Sequence, residues 1–231
     1  VNVLTVVVAH VKRTHFLEPL LERTKAAHVF LDDGTLGEWG NHERALRWAA
    51  TTAARKNLSH VCVIQDDALP VDGFVPYLEA LSVLRPDDLI GLYVGTHRPH
   101  REAVTVATEE ADDLGAMFLS YRELSWGVAT LMPAGRIEPM LEAVRQSNRP
   151  YDIRLGRGWR AVMGEGKPVL YTWPALVDHR DDKPVVAGRS LPQGVRRARR
   201  VGPLAGDPQK VVPILTDSPI RRRHERERQR P

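Results

Sequence analysis

Apolar and polar positions along the chain follow two periods in turn. Short runs rich in β-branched residues, at Val1–Ala9, Ala27–Leu31, Val61–Ile64, Leu89–Val94, Trp126–Met132 and Val169–Trp173, have buried-strand length and predict strands. Between them, apolar residues recur every three or four positions and predict amphipathic helices. Phe16, Leu17, Leu20 and Leu21 mark one helix in Thr14–Thr24, and Ala45, Leu46, Ala49 and Ala53 mark the strongest, Glu43–Lys56. Asn41 is placed to cap that helix and Asn57 to end it. Further helices are expected at Phe74–Leu84, Gly135–Gln146 and from Tyr151 to about Met163. The stretch Gly34–Gly40 reads as a flexible loop holding one large aromatic, Trp39, and Ala116–Leu119 as a short strand after a turn at Asp112–Gly115. Strands and helices alternate through residue 180, which predicts an α/β sandwich with a mainly parallel sheet that turns mixed in its later part. No internal repeat interrupts this order.

Composition changes the picture only at the C-terminal end. A chain of 231 residues with 42% hydrophobic and 27% charged residues can bury one substantial core, so a single domain with extensions is expected. The one cysteine, Cys62, falls inside a core strand, which leaves no disulfide framework and no Cys-rich zinc site. The apolar run Val3–Ala9 is too short to cross a membrane and lacks the basic flank of a signal peptide, so no membrane span and a cytoplasmic location are expected. The net charge of +4 is unevenly placed. Residues 189–231 hold 12 Lys/Arg against 4 Asp/Glu, while residues 1–188 hold 21 against 25. The division suggested is a domain over 1–188 and a basic, Pro/Gly/Arg-rich extension over 189–231. The runs Arg196–Arg200 and Arg221–Arg226 are candidates to touch phosphates, although their Pro- and Gly-rich setting fits a solvated extension.

The chemistry gathers at strand ends. The run Val61–Ile64 stops in Gln65-Asp66-Asp67, and Ala27–Leu31 stops in Asp32-Asp33. In an α/β sheet ligands bind beyond the carboxyl ends of the strands, so two acidic strand ends on one edge define a candidate site. Neighbouring carboxylates repel unless a cation or a proton sits between them, and oxygen ligands suit Mg²⁺ or Mn²⁺. The bland alternative is a solvated Asp-Asp turn. His97 and His100, flanking a proline, fit a surface loop better than a metal pair. Neither the Gly-x-Gly-x-x-Gly dinucleotide fingerprint nor a P-loop occurs, which excludes phosphoryl transfer by a P-loop.

The ordered set of hydrophobic-strand-Gln-Asp-Asp-Ala-Leu-Pro (to Pro70), Ser-Trp-Gly-Val-Ala-Thr-Leu-Met-Pro (to Pro133), Tyr-Asp-Ile-Arg-Leu (to Leu155) and Trp-Pro-Ala-Leu-Val-Asp-His-Arg (to Arg180) resembles a GT-A-fold nucleotide-sugar glycosyltransferase. It is most like the lipopolysaccharide-modifying and procollagen galactosyltransferase type, and similar small enzymes occur in phages. The resemblance covers about residues 1–182. It implies a Rossmann-like α/β/α sandwich, a Mn²⁺ or Mg²⁺ cofactor, a nucleotide-sugar donor and an acceptor hydroxyl on a glycan, a protein or a modified DNA base. If the chain is phage-encoded, the host cytoplasm is its expected location.

Carried onto this chain, the resemblance implies Asp67 as the direct metal ligand, with Asp66 beside it facing the ribose or the metal's waters. Gln65 stands where many relatives carry an acid. His179 matches a further metal ligand, Asp32 and Asp33 the acids that contact the nucleoside, and Arg13 a basic residue near the diphosphate. Trp126 and Gly127 match the acceptor-side strand, and Asp152 the base of inverting members. Each position has a plainer reading. Trp126 suits a core, Asp152 a helix cap, Arg13 an ordinary surface and His179 a turn. Trp39 and Trp126 both offer a face for a sugar ring. The rival functions are a nucleotidyltransferase and a non-catalytic nucleic-acid-binding protein working through the arginine-rich tail.

Overall fold

The computed structural model describes residues 2–96, 101–182, 185 and 196–216. The His97 and His100 loop and the Arg221–Arg226 run lie outside the described residues. Among the described residues, ten strands and six α-helices follow in chain order: β1 (Val3–His10), α1 (Leu17–Thr24), β2 (His28–Asp32), α2 (Gly37–Arg55), β3 (His60–Gln65), β4 (Ala68–Pro70), α3 (Phe74–Leu84), β5 (Ile90–Gly91), α4 (Arg101–Leu114), β6 (Ala116–Tyr121), β7 (Ala129–Pro133), α5 (Ile137–Ala143), α6 (Tyr151–Met163), β8 (Val169–Thr172), β9 (Val177–His179) and β10 (Asp207–Pro213). Eight strands form one sheet in the order β10-β6-β8-β5-β7-β3-β1-β2, and β4 with β9 form a separate ribbon.

The sheet is mixed and mostly parallel and is flanked by helices, consistent with a Rossmann-like α/β fold. β2, β1 and β3 run parallel, β7 returns antiparallel between β3 and β5, and β8 runs parallel to β5. Val3–Ala9 of β1 and His60–Ile64 of β3 are buried at every position rather than alternately. Both faces of these strands are therefore covered, which is why their sequences read as unbroken apolar runs. α2, α5 and α6 pack together as one group with α2 on β1 and β3; α1 and α3 form another, with α3 on β1 and β7.

Several elements depart from the pattern reading. The Gly34–Gly40 loop is shorter than expected because α2 begins at Gly37. Asp32 provides the reason: its carboxylate accepts from the N–H of Gly34 (3.0 Å) and of Leu36 (3.1 Å), so the helix is started from β2. Asn41 is consequently not a cap. It lies buried inside α2 and donates to the carbonyls of Ala9 (3.3 Å) and Phe30 (2.8 Å), tying α2 to two strands. The expected strand Leu89–Val94 shrinks to Ile90–Gly91, and the expected strand from Trp126 begins only at Ala129.

The largest departure is the tail. The expected boundary at residue 188 does not mark the end of the fold, because β10 is the edge strand of the main sheet, parallel to β6, with Val212 and Ile214 buried. Ahead of it, residues 196–202 form a strap across the sheet end, bridging Gly95 at Ala198 and Ala175 at Val201. Its arginines are not a free basic run: Arg197 pairs with Asp178 (2.5 Å), Arg200 with Asp112 (2.6 Å) and Arg196 with Asp181 (3.7 Å). Arg200 also stacks over Trp173. Composition favours solvation because Arg196, Arg197 and Arg200 find their acids in distant segments.

Candidate functional site

Because β1, β2 and β3 are parallel, His10, Asp32 and Gln65-Asp66-Asp67 emerge at one edge of the sheet. β7 is antiparallel to β3, so the residues leading into it reach the same edge. Gln65 N–H donates to the Val128 carbonyl at 2.9 Å, which sets Trp126 and Gly127 alongside. The chain beyond β8 folds back as β9 and pairs with β4, Ala68 opposite His179 and Leu69 opposite Asp178. That register returns His179 to the acid pair. Its Nε2 lies 3.3 Å from Asp67 Oδ2.

Asp66 and Asp67 are both buried. Asp66 accepts the His10 N–H at Oδ2 (2.7 Å) and Arg13 Nη1 at Oδ1 (3.0 Å). The same Arg13 Nη1 makes a short contact with Asp67 Oδ2. Asp67 Oδ1 is buried with no hydrogen-bond partner among the described residues. Burial, then the neighbouring Asp67 charge, raises the Asp66 carboxyl above its ordinary pKa, against the His10 N–H and Arg13. Burial would lower the Arg13 guanidinium, but Asp67 and Asp66 outweigh it and hold its pKa up. The two directions agree physically: one guanidinium between two buried carboxylates cannot neutralise both, so the cluster still attracts positive charge.

His179 is arranged as a ligand would be. Its Nδ1 lies 2.5 Å from the Arg180 carbonyl. A carbonyl only accepts, so the proton is on Nδ1, and a neutral ring then presents the Nε2 lone pair to Asp67. Two acceptors facing each other at 3.3 Å need a proton or a cation between them. An imidazole whose second nitrogen donates to a backbone carbonyl is the usual arrangement of a metal-binding histidine. With the orphaned Asp67 Oδ1, this donor set of imidazole nitrogen and carboxylate oxygens fits Mn²⁺ better than Mg²⁺. Among the described residues no group of three or more His, Cys, Asp or Glu side chains is already closed around one point.

The remaining predicted residues surround this centre at different distances from the chemistry. The Asp32 carboxylate is spent on the loop before α2, whereas Asp33 is open to solvent and accepts from Thr35 N–H (3.0 Å). The Thr35 contacts hold the Asp33 carboxyl below its usual pKa. Trp126 is buried, edge-on to Tyr93 and Tyr171, so it offers little open face. Trp39 is half-buried with Arg154 over its ring. Gly127 is a glycine for a steric reason: a Cβ there would lie 2.5 Å from the Tyr151 ring and 3.5 Å from Asp152 Cβ. Asp152, in the first turn of α6, is therefore beside Gly127, partly exposed, and accepts from Ile153 N–H at 2.8 Å.

Three contributors were given no role from the sequence. His42, buried in α2, donates from Nδ1 to the Glu38 carbonyl (2.7 Å), stacks on Tyr151 and meets Gln65 Nε2 at 3.5 Å. Burial pushes its pKa down to about 4, so it is neutral below the acid pair. Asp178 is a junction. Its Oδ1 accepts from His179 N–H (2.8 Å) and Ala198 N–H (2.7 Å), and Oδ2 from Arg197. Tyr93 donates to the Arg196 carbonyl at 2.6 Å and lies near His179. Only the Asp before His179 was visible in sequence, and its role depends on a strap that begins beyond residue 195.

No helix among the described residues is long and apolar enough to cross a membrane. No family model matches the chain, and no curated protein matches it in sequence. Among solved structures, A197 from STIV is similar over 78% of this chain and 86% of its own, at 11% identity and a TM-score of 0.45.

Proposed function

We propose that the chain is a glycosyltransferase that uses a divalent cation to move a sugar from a nucleoside-diphosphate sugar to an acceptor hydroxyl. The observation that carries this reading is the meeting of Asp67 and His179 beside Asp66 at the carboxyl end of the central strand, with Asp67 Oδ1 unsatisfied and His179 Nε2 turned toward Asp67. Asp67 and His179 would hold the ion, with Asp66 anchored beside them by the His10 N–H. When bound, the ion supplies Lewis-acid stabilisation of the negative charge that builds on the leaving diphosphate.

The protein's own groups would do the rest. The bond from the sugar's anomeric carbon to the phosphate oxygen breaks with its electron pair leaving on the diphosphate, and a bond to the acceptor oxygen forms. The acceptor's proton needs a base, and the partly exposed Asp152 carboxylate beside Gly127 is the candidate. The solvent-open Asp33, at the end of β2 on the same sheet edge, remains available to a ribose hydroxyl. The nucleic-acid-binding alternative is weakened by the ion pairing of Arg196, Arg197 and Arg200. The acceptor is a glycan, a protein or a modified DNA base.

The test is a thermal-shift panel of nucleotide sugars with and without Mn²⁺. A donor present at 100 times its dissociation constant stabilises the fold by about 2.7 kcal/mol. The expected outcome is a shift for one nucleotide class that requires the metal; no shift with any nucleotide sugar under either condition would overturn the reading.

A further inference from the structure

We propose that Arg13 is a built-in counter-ion that competes with the divalent cation for the acid pair and is displaced when the cation binds. This rests on the metal-dependent reading above and adds a step to it. The single nitrogen Nη1 of Arg13 serves Asp66 Oδ1 at 3.0 Å and Asp67 Oδ2. Asp67 Oδ2 is also the oxygen that faces His179 Nε2. The atom that a cation shared with His179 would take is therefore already engaged by a positive group. A guanidinium and a divalent ion on one oxygen repel each other strongly in a site this buried.

The surroundings are suited to an exchange. Asp66 does not depend on Arg13 for its position, because the backbone N–H of His10 holds Oδ2 at 2.7 Å. Asp67 is fixed from the other side, its carbonyl accepting the Arg180 N–H at 2.8 Å. Arg13 itself belongs to the short 3-10 segment Val11–Phe16, which contains no buried residue. Its backbone, at φ −120° and ψ 17°, interrupts that segment. The side chain is only 12% exposed and lies across the two acids. A diphosphate arriving with the cation offers the guanidinium a new anion. Metal and donor binding are then coupled through one side chain.

The experiment uses the full chain and Mn²⁺ alone as the first probe, titrated by calorimetry into wild type, Arg13→Gln and Arg13→Lys. Removing the competitor should tighten Mn²⁺ binding by about tenfold or more in Arg13→Gln. Arg13→Lys should fall between, since an ammonium keeps the charge but not the fork geometry. Adding a nucleoside diphosphate should tighten Mn²⁺ binding more in wild type than in Arg13→Gln. Equal or weaker Mn²⁺ binding in Arg13→Gln than in wild type overturns this inference alone. No Mn²⁺ binding in either protein overturns the metal reading and this inference together. Wild type also provides a check independent of any variant's folding. Diamagnetic Mg²⁺ should abolish the hindered rotation of the Arg13 guanidinium in its ¹⁵N spectrum, and an unchanged spectrum at saturating Mg²⁺ counts against displacement.

Discussion

Asp67 differs from its neighbour Asp66 in what it lacks. Asp66 has a backbone N–H and an arginine, while one oxygen of Asp67 is buried with no partner among the described residues. Asp67→Asn keeps the shape and removes the charge. The variant should unfold at a temperature close to that of wild type yet lose the Mn²⁺-dependent shift with donor, and retention of that shift would dismiss Asp67 as the ligand. Gly127→Ala tests a steric requirement. The new Cβ would fall 2.5 Å from the ring of Tyr151, which is fully buried and cannot step aside. Overpacking of this kind costs about 1–3 kcal/mol, measurable by urea unfolding. The sequence marked both residues, one as an acid after an apolar run and the other as part of Trp-Gly, but it gave no reason for the glycine. That reason is an aromatic ring from α6.

At the scale of elements, the ribbon of β4 with β9 and the strap of residues 196–202 together make the site. The ribbon sets His179 opposite Ala68, and the strap holds the preceding residue by two bonds to the Asp178 carboxylate, from the Ala198 N–H and from Arg197. β10 follows the strap into the sheet, with Arg85 donating to the Pro208 carbonyl and stacking on Phe118. A chain ended at residue 195 loses the strap, the edge strand and the buried Val212 and Ile214. Each fully buried side chain of this size contributes about 1.5–3 kcal/mol, so the truncated chain should have a clearly lower urea midpoint. The newly bared β6 edge should also promote aggregation. An unchanged midpoint would show that the tail is dispensable. Arginine-rich composition suggested a solvated extension because composition carries no record of which acids lie opposite.

Across the whole molecule, stability should depend on pH through a residue that makes no ion pair among the described residues. Burial holds His42 neutral, with a folded pKa of about 4 against an ordinary 6.5. Between those values the unfolded chain binds a proton that the folded chain does not. Stability is therefore full above 6.5 and falls as pH drops toward 4, by about 1.4 kcal/mol per pH unit within the window. His60 is shifted in the same direction by burial, whereas Asp66, raised by burial, works in the opposite sense at the acid end. The difference between wild type and His42→Phe isolates the histidine: the variant should lose less stability between pH 6.5 and 4.5 in urea titrations. Parallel curves would mean that His42 is protonated in the fold.

The sequence alone determined what local pattern controls. Apolar runs buried on both faces gave β1 and β3, three-to-four spacing gave α3 and α6 within a residue or so, and an acid pair directly after a core strand marked the sheet edge where buried carboxylates meet. Strand direction in an α/β chain follows from the alternation of elements, so the first three strands could be read as parallel. The tertiary structure decided everything that depends on a partner distant in sequence: Arg13 lying across both carboxylates, the proton position on His179, His42 beneath Gln65, and a tail that closes the sheet. These are contacts between charged or polar groups whose energy exists only when burial removes water from around both members. A sequence records the groups but not the water they lose, and that loss separates a surface arginine from one buried across two carboxylates.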